Sequence, residues 1–238
     1  MKLPAPLFPG HLVKRYKRFL ADIVLDTGEE ITAHCANPGS MTGIAPEGAR
    51  VWVSNSASKT RKLPYSWELV EITEFGRPVM VAINTNNPNR IAFEAIDQGV
   101  IPELAGYDTH RREVKYGEKS RIDILLHKEG KPDCYVEVKN VHLLRRADGL
   151  AEFTDSVTAR GLKHLRELTG MVADGHRAVM LFIIQRGDCL ALAPAEDLDP
   201  AYAAGLRDAV AAGVETLVWD CEITTQEIVL RRNLPLKL

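Results

Sequence analysis

Residues 121–140, RIDILLHKEGKPDCYVEVKN, consist of two strand-forming runs joined by the turn KEGKPD. A segment of this kind folds back on itself as an antiparallel hairpin. Side chains alternate across a strand with a period of two. In CYVEVKN, Glu137 and Lys139 therefore share one face, while Val136 and Val138 share the other. Laying RIDILL beside that strand brings Asp123 towards Glu137 in one natural register, although sequence does not fix the register. The neighbours Ile122, Ile124, Val136 and Val138 describe a covered, central strand. Unmatched charge in such a place is costly.

Two readings of the three charges compete. An exposed strand with an ordinary Glu–Lys pair is the plain one, and such a pair contributes little. The chemical one is a metal site. Magnesium takes hard oxygen ligands, commonly one or two carboxylates, and keeps several waters. Asp123 and Glu137 can supply those oxygens. A metal held there polarises a phosphodiester and lowers the pKa of an attacking water. Lys139 would orient that water or balance charge developing on the phosphate.

The 238 residues suffice for one large domain or two small ones. Up to about residue 75 the chain reads as all-β. RFLADIVLD, EEITAHCAN, ARVWVSNSA and YSWELVEITEF are short β-branched or aromatic runs, separated by turn-rich DTGEE, NPGSMTG and SASKTRKLP. About five such strands suit a small barrel, with an OB-fold as one option. After NTNNPNR the pattern changes. RIAFEAIDQGVIPEL is spaced as a helix with Asn89 as its cap, then strands and helices alternate to the end. HLLRRADGLAEFTD reads as a polar loop, and CLALAPA as a partner for the apolar strand RAVMLFIIQR. The fold class expected is α/β (α+β). Residues 1–84 form an OB-like barrel that binds nucleic acid, and residues 85–238 form a mixed-sheet domain flanked by helices.

A formal net charge of −2 gives no global basic field. The basic residues are local. KRYKRF interleaves Lys14, Arg15, Lys17 and Arg18 with Tyr16 and Phe19. This suits single-strand binding, in which charges follow phosphates and rings stack on bases. The plainer reading keeps the two rings in the core. Lys59, Arg61 and Lys62 make a second basic cluster, and NPGSMTG offers either a phosphate cradle or ordinary turn chemistry. In DSVTARGLKHLREL, Val157, Gly161, Leu165 and Leu168 form a packed stripe, leaving Arg160, Lys163, His164 and Glu167 on a polar face. Gln185 ends a buried strand and can be read as a site residue or simply as a strand end.

Cys35, Cys134, Cys189 and Cys221 are widely separated, without zinc spacing or a disulfide framework. They read as reduced thiols of a cytoplasmic protein. The first residues lack the apolar core of a signal peptide, and no apolar run approaches the roughly 20 residues of a membrane span.

Asp123 together with EVK at 137–139 resembles the PD-(D/E)xK nuclease core, with Ile122 in place of the proline, which binds no metal. RYKRFLADI, NPGSMTG, EVKYGEKSRIDILL, PDCYVEVKNV and SVTARGLKHLREL are similar to the sugar fermentation stimulation protein A (SfsA) family, from Arg15 to the LPLKL tail. The resemblance implies an OB-like barrel before a nuclease-like domain, DNA as partner, and Mg²⁺ (or Mn²⁺) held by Asp123 and Glu137. Lys139 would be catalytic, and Glu94 would be the acid many such nucleases add from the preceding helix, with Asp97 and Glu113 as rivals. DNA would be gripped through Arg15, Tyr16, Lys17, Arg18, Arg160, Lys163 and His164, largely without regard to sequence. His164 as a general base is the weaker alternative. A homodimer is the assembly left open. The rival function is a non-catalytic DNA-binding regulator of sugar metabolism on a nuclease scaffold.

Overall fold

The computed structural model describes residues 1–56, 58, 60–117 and 120–238. The first sheet holds β1 (Leu7–Tyr16), β2 (Leu20–Leu25), β3 (Glu30–His34), β4 (Arg50–Asn55), β5 (Tyr65–Glu74) and β6 (Arg77–Ala82). Its order is β3-β2-β1-β4-β5-β6, and a β3–β5 contact between His34 and Ser66 curls it towards closure. Leu12, Ile23, Val51, Val53, Trp67 and Val70 fill its interior. The β1–β2 hairpin turns through Lys17 (φ 48°) and Arg18 (φ 62°), both in the left-handed region that the tightest hairpins require.

The first strand was hidden by Pro9 and Gly10, residues that ordinarily interrupt a sheet. Gly10 is needed because a Cβ there would lie 2.5 Å from the Val24 carbonyl oxygen of β2. The barrel therefore has six strands where about five were expected.

The second domain begins with α1 (Asn87–Asp97), a short 3₁₀ turn at Pro102–Leu104, β7 (Thr109–Tyr116), β8 (Ser120–Lys128) and β9 (Lys131–Val141). Next come the short strands β10 (Leu143–Leu144) and β11 (Leu150–Phe153), then α2 (Ala159–Ala173), β12 (Arg177–Ile184) and β13 (Ala191–Pro194). The domain ends with α3 (Pro200–Ala211), β14 (Glu215–Ile223) and β15 (Ile228–Asn233). The main sheet has order β15-β14-β12-β9-β8-β7 and is mixed: β9, β12 and β14 run parallel, and the hairpin β7–β8–β9 is antiparallel. One face packs on α1 through Ile91, Ile96, Val136, Val138, Leu181 and Ile183. The other packs on α2 and α3 through Leu165, Leu168, Leu206, Met180, Phe182 and Ile184. Each such side chain, fully buried, stabilises the fold by roughly 1.5–3 kcal/mol.

Four expectations are corrected here. CLALAPA does not pair with β12; as β13 it joins β11 in a separate three-stranded sheet, order β10-β11-β13. The supposed polar loop 142–155 thus contributes two of those strands. The cap of α1 is Asn86, and Asn89 lies inside the first turn, its amide free to act elsewhere. Val157 is 77% exposed because Thr158 caps α2, accepting from the Gly161 N–H, which leaves Val157 one residue outside the helix.

The barrel is tied to the sheet domain along β6. Val81 bridges to Arg186, the Ala82 N–H donates to the Gln185 carbonyl (3.1 Å), and His142 Nε2 donates to the Ala82 carbonyl (2.7 Å). Arg186 is completely buried at this joint, donating to Glu74 (2.6 Å), Asp188 (2.7 and 2.8 Å) and the His142 carbonyl (3.1 Å).

Candidate functional site

β8 and β9 pair in the register Leu126–Cys134, Leu125–Tyr135 and Ile124–Val136. The ladder stops there. One residue further, Asp123 Oδ2 accepts the main-chain N–H of Val138 at 2.8 Å, so a carboxylate replaces the next backbone pairing. Its other oxygen accepts from Asn89 Nδ2 at 2.6 Å, which reaches in from the first turn of α1. Burial and the nearby Glu137 charge push the Asp123 carboxyl up to about 6, against the opposing pull of the Val138 N–H, Lys139 and Asn89.

Glu137 and Lys139 share the α2 face of β9, as the alternation predicts, with Lys139 Nζ at 2.7 Å from Glu137 Oε1. Burial acts to raise the Glu137 carboxyl. The hydrogen bond from His164 and the Lys139 ammonium outweigh it and hold the group below the usual carboxylate range. His164, projecting from α2, donates from Nδ1 to Glu137 Oε1, and its Nε2 accepts from Arg160 Nε at 3.4 Å. That pair of partners fits the neutral imidazole with its proton on Nδ1. The 3.3 Å approach of Lys139 Nζ to the same nitrogen is then a contact between two donors, not a hydrogen bond.

Glu137 Oε2 is buried and has no hydrogen-bond partner among the described residues. An orphaned carboxylate oxygen is expensive unless something cationic completes it. Two carboxylates of which one carries such an atom and the other a raised pKa fit a hard divalent cation, which takes few protein ligands and keeps waters. Asp123 and Glu137 would hold it.

The remaining expected site residues are distributed differently. Glu94 does not join the site: its carboxylate pairs with the Met1 amino group at 3.1 Å and is 41% exposed. It follows Asn89 by five residues, about 140° around the helix, so the helix presents the amide of Asn89 where an acid was expected. Asp97 pairs with His110 (3.5 Å), and Glu113 is exposed on β7. Arg15 is not free to grip a backbone phosphate. It is clamped on the carbonyls of Asn37 and Gly39 (2.9 Å each) and Ser40 (3.4 Å). Tyr16 is half-buried, donating to Asp22 at 3.1 Å. Lys17 and Arg18 are exposed at the hairpin tip, and Phe19 stacks on His34 beside them. On α2, Arg160 and Lys163 face solvent, whereas His164 is buried and supports Glu137 rather than a surface contact. Lys59 lies outside the described residues, Arg61 donates to Ser66 (2.9 Å), and Lys62 is exposed. Gln185 is wholly buried, donating to Asn140 Oδ1 at 2.7 Å. Asn89 reads in the sequence as a cap, and His164 as part of a polar face of α2; the positioning role of each towards Asp123 and Glu137 was missed.

The fold and the site define a two-domain protein: a small OB barrel joined to a mixed-sheet domain whose central hairpin gathers an Asp–Glu–x–Lys set. Residues 13–90 match the family model of the SfsA N-terminal OB domain, and residues 86–227 that of the sugar fermentation stimulation protein RE domain. The chain belongs to the sugar fermentation stimulation protein (SfsA) family. It is 54% identical to the sugar fermentation stimulation protein homolog of Maricaulis maris over 100% of this chain and 99% of that one. It is 56% identical to the Rhodospirillum centenum homolog over 99% of each. The structure of Pyrococcus furiosus SfsA in complex with Ca²⁺ superposes with a TM-score of 0.86 at 26% identity, covering 100% of this chain and 98% of that one. Among the described residues no helix is long and apolar enough to cross a membrane. All four cysteines are buried and unpaired.

Proposed function

We propose that the protein binds DNA largely without regard to sequence and hydrolyses phosphodiester bonds with Mg²⁺ or Mn²⁺ at Asp123 and Glu137. The observation that carries this reading is the orphaned, buried Oε2 of Glu137 beside a lysine and a second carboxylate. That a relative of the same fold is described with Ca²⁺ supports a divalent cation. When bound, such an ion supplies Lewis-acid polarisation of the phosphodiester and a more acidic water.

The chain's own groups do the rest. Val138 N–H and Asn89 fix both oxygens of Asp123, leaving a second lone pair on each. His164 holds Glu137 by Oε1 and so aims Oε2 away from the helix contact. Lys139, hydrogen-bonded to Glu137 Oε1, would balance charge developing on a phosphate held at the site. Exposed Lys17, Arg18, Arg160 and Lys163 supply backbone contacts of the kind that weaken steeply with salt.

Cleavage of labelled single- and double-stranded DNA with Mg²⁺ or Mn²⁺ tests the reading. Asp123→Ala and Lys139→Ala should each lower the rate about 10²–10³-fold, and EDTA should abolish it. Activity surviving in both variants would reject the site. The second reading, a non-catalytic DNA-binding regulator, is favoured by one observation: both oxygens of Asp123 already accept hydrogen bonds within the chain, from the Val138 N–H and from Asn89. It predicts no cleavage, with DNA bound at low salt and released at high salt.

A further inference from the structure

The strand that carries Glu137 and Lys139 continues through Asn140 towards His142, into a cleft between the two domains. The cleft has a volume of about 370 Å³ and is walled by Asn37 and Pro38 of the barrel, Asn140 and His142, and Val157 and Thr158 before α2. Ligands of α/β sheets collect outside the carboxyl ends of strands, where this cleft lies. Its size falls within the ~300–1,000 Å³ of small-ligand sites.

Its walls are held in place. The loop carrying Asn37 is clamped by Arg15, and the Ser40 N–H donates to Asp155 across the domain boundary at 2.8 Å. Gly39 packs so tightly on the Asp155 carboxylate that a side chain there would collide with it. The Asn140 amide is oriented from two sides: Oδ1 accepts from Gln185 Nε2 (2.7 Å), and Nδ2 donates to His142 Nδ1 (3.1 Å). That direction is forced, because His142 Nε2 carries the proton given to the Ala82 carbonyl. An amide has two N–H groups and two lone pairs, so Asn140 keeps one of each. Apolar surface is also present, from exposed Pro38 on one domain and Val157 on the other.

We propose that the cleft receives the unpaired base of a single-stranded DNA nucleotide adjoining the phosphate held at Asp123, Glu137 and Lys139. The inference rests on the DNA reading above and adds the form of the substrate. A free donor and a free acceptor on one fixed amide suit the hydrogen-bonding groups of a base edge. Pro38 and Val157 offer apolar contact to the faces of the ring. Space for one nucleoside between two domains excludes a base pair, so the base has to be out of its stack.

Fluorescence anisotropy of the full chain in Ca²⁺ tests this with three probes of equal length: a single strand, a fully abasic strand and a blunt duplex. The single strand should bind about tenfold more tightly than either of the others. Val157→Glu, at an exposed position, should reduce single-strand affinity to the abasic level and leave duplex affinity and melting temperature unchanged. Asn140→Ala should do the same to the binding. Equal affinity for the normal and abasic strands, or variants that keep the preference, would overturn the assignment alone. Absence of binding to every probe would overturn the DNA reading and this inference with it.

Discussion

Two buried charge clusters lie within one molecule and are finished in opposite ways. At the domain joint, each of the three guanidinium nitrogens of Arg186 donates to Glu74, Asp188 or a carbonyl, and both carboxylates reach partly into solvent. Burial penalises its charge, but the two carboxylates more than restore it, and the guanidinium is held charged. The β8–β9 site has the same two carboxylates to one cation, yet there one carboxylate oxygen has no described partner and the Asp123 carboxyl is pushed up to about 6. A saturated cluster is architecture. A cluster that keeps a buried carboxylate oxygen unpartnered beside a second carboxylate and a lysine is shaped for something that binds to it.

The comparison breaks most visibly at the joint. Arg186→Met leaves Glu74 and Asp188 without their cation and should cost about 3–5 kcal/mol, read as a lower urea midpoint. A loss below about 1 kcal/mol would mean that the joint is not what locks the domains. A smaller effect is expected from His142, whose imidazole burial holds down to about 4. Protonation would set a donor against the amides of Asn37 and Asn140, both of which donate to Nδ1. The unfolded chain takes up that proton near the ordinary pKa of about 6.5, so the stability is complete above that value and is lost as pH falls towards 4. The slope should amount to about 2–3 kcal/mol between pH 7 and 4. It should flatten in His142→Gln, and an identical slope in that variant would place the proton elsewhere. Least affected should be Glu137→Gln, which keeps an acceptor for His164 and Lys139 at the place of Oε1 and removes only the carboxylate charge. Its stability should stay within about 1 kcal/mol of wild type while metal-dependent cleavage falls. Destabilisation as large as that of Arg186→Met would erase the distinction between the clusters.

Much of this site is legible in the chain because alternation is a local rule. Glu137 and Lys139 lie two apart on a strand, and their shared face follows from geometry. Asp123 follows from a short turn. What is not legible depends on long-range placement. Glu94 and Asn89 sit on the same helix, and only the packing of α1 against the sheet decides which faces Asp123. Val157 continues the apolar spacing of α2, yet the cap at Thr158 ends the helix before reaching it. β1 is masked by Pro9 and Gly10, and the strands β10, β11 and β13 are too short to show a period. The polar group of Asn140, His142 and Gln185 joins one strand residue to two that lie just beyond strand ends, and no spacing announces it.

Isothermal titration of the purified chain with Mn²⁺, alongside Asp123→Ala and Asp188→Ala, bears most directly on the central claim. The account predicts saturable binding of the ion in wild type and in Asp188→Ala, and its loss in Asp123→Ala. Binding that persists without Asp123, or no binding in wild type, would contradict it.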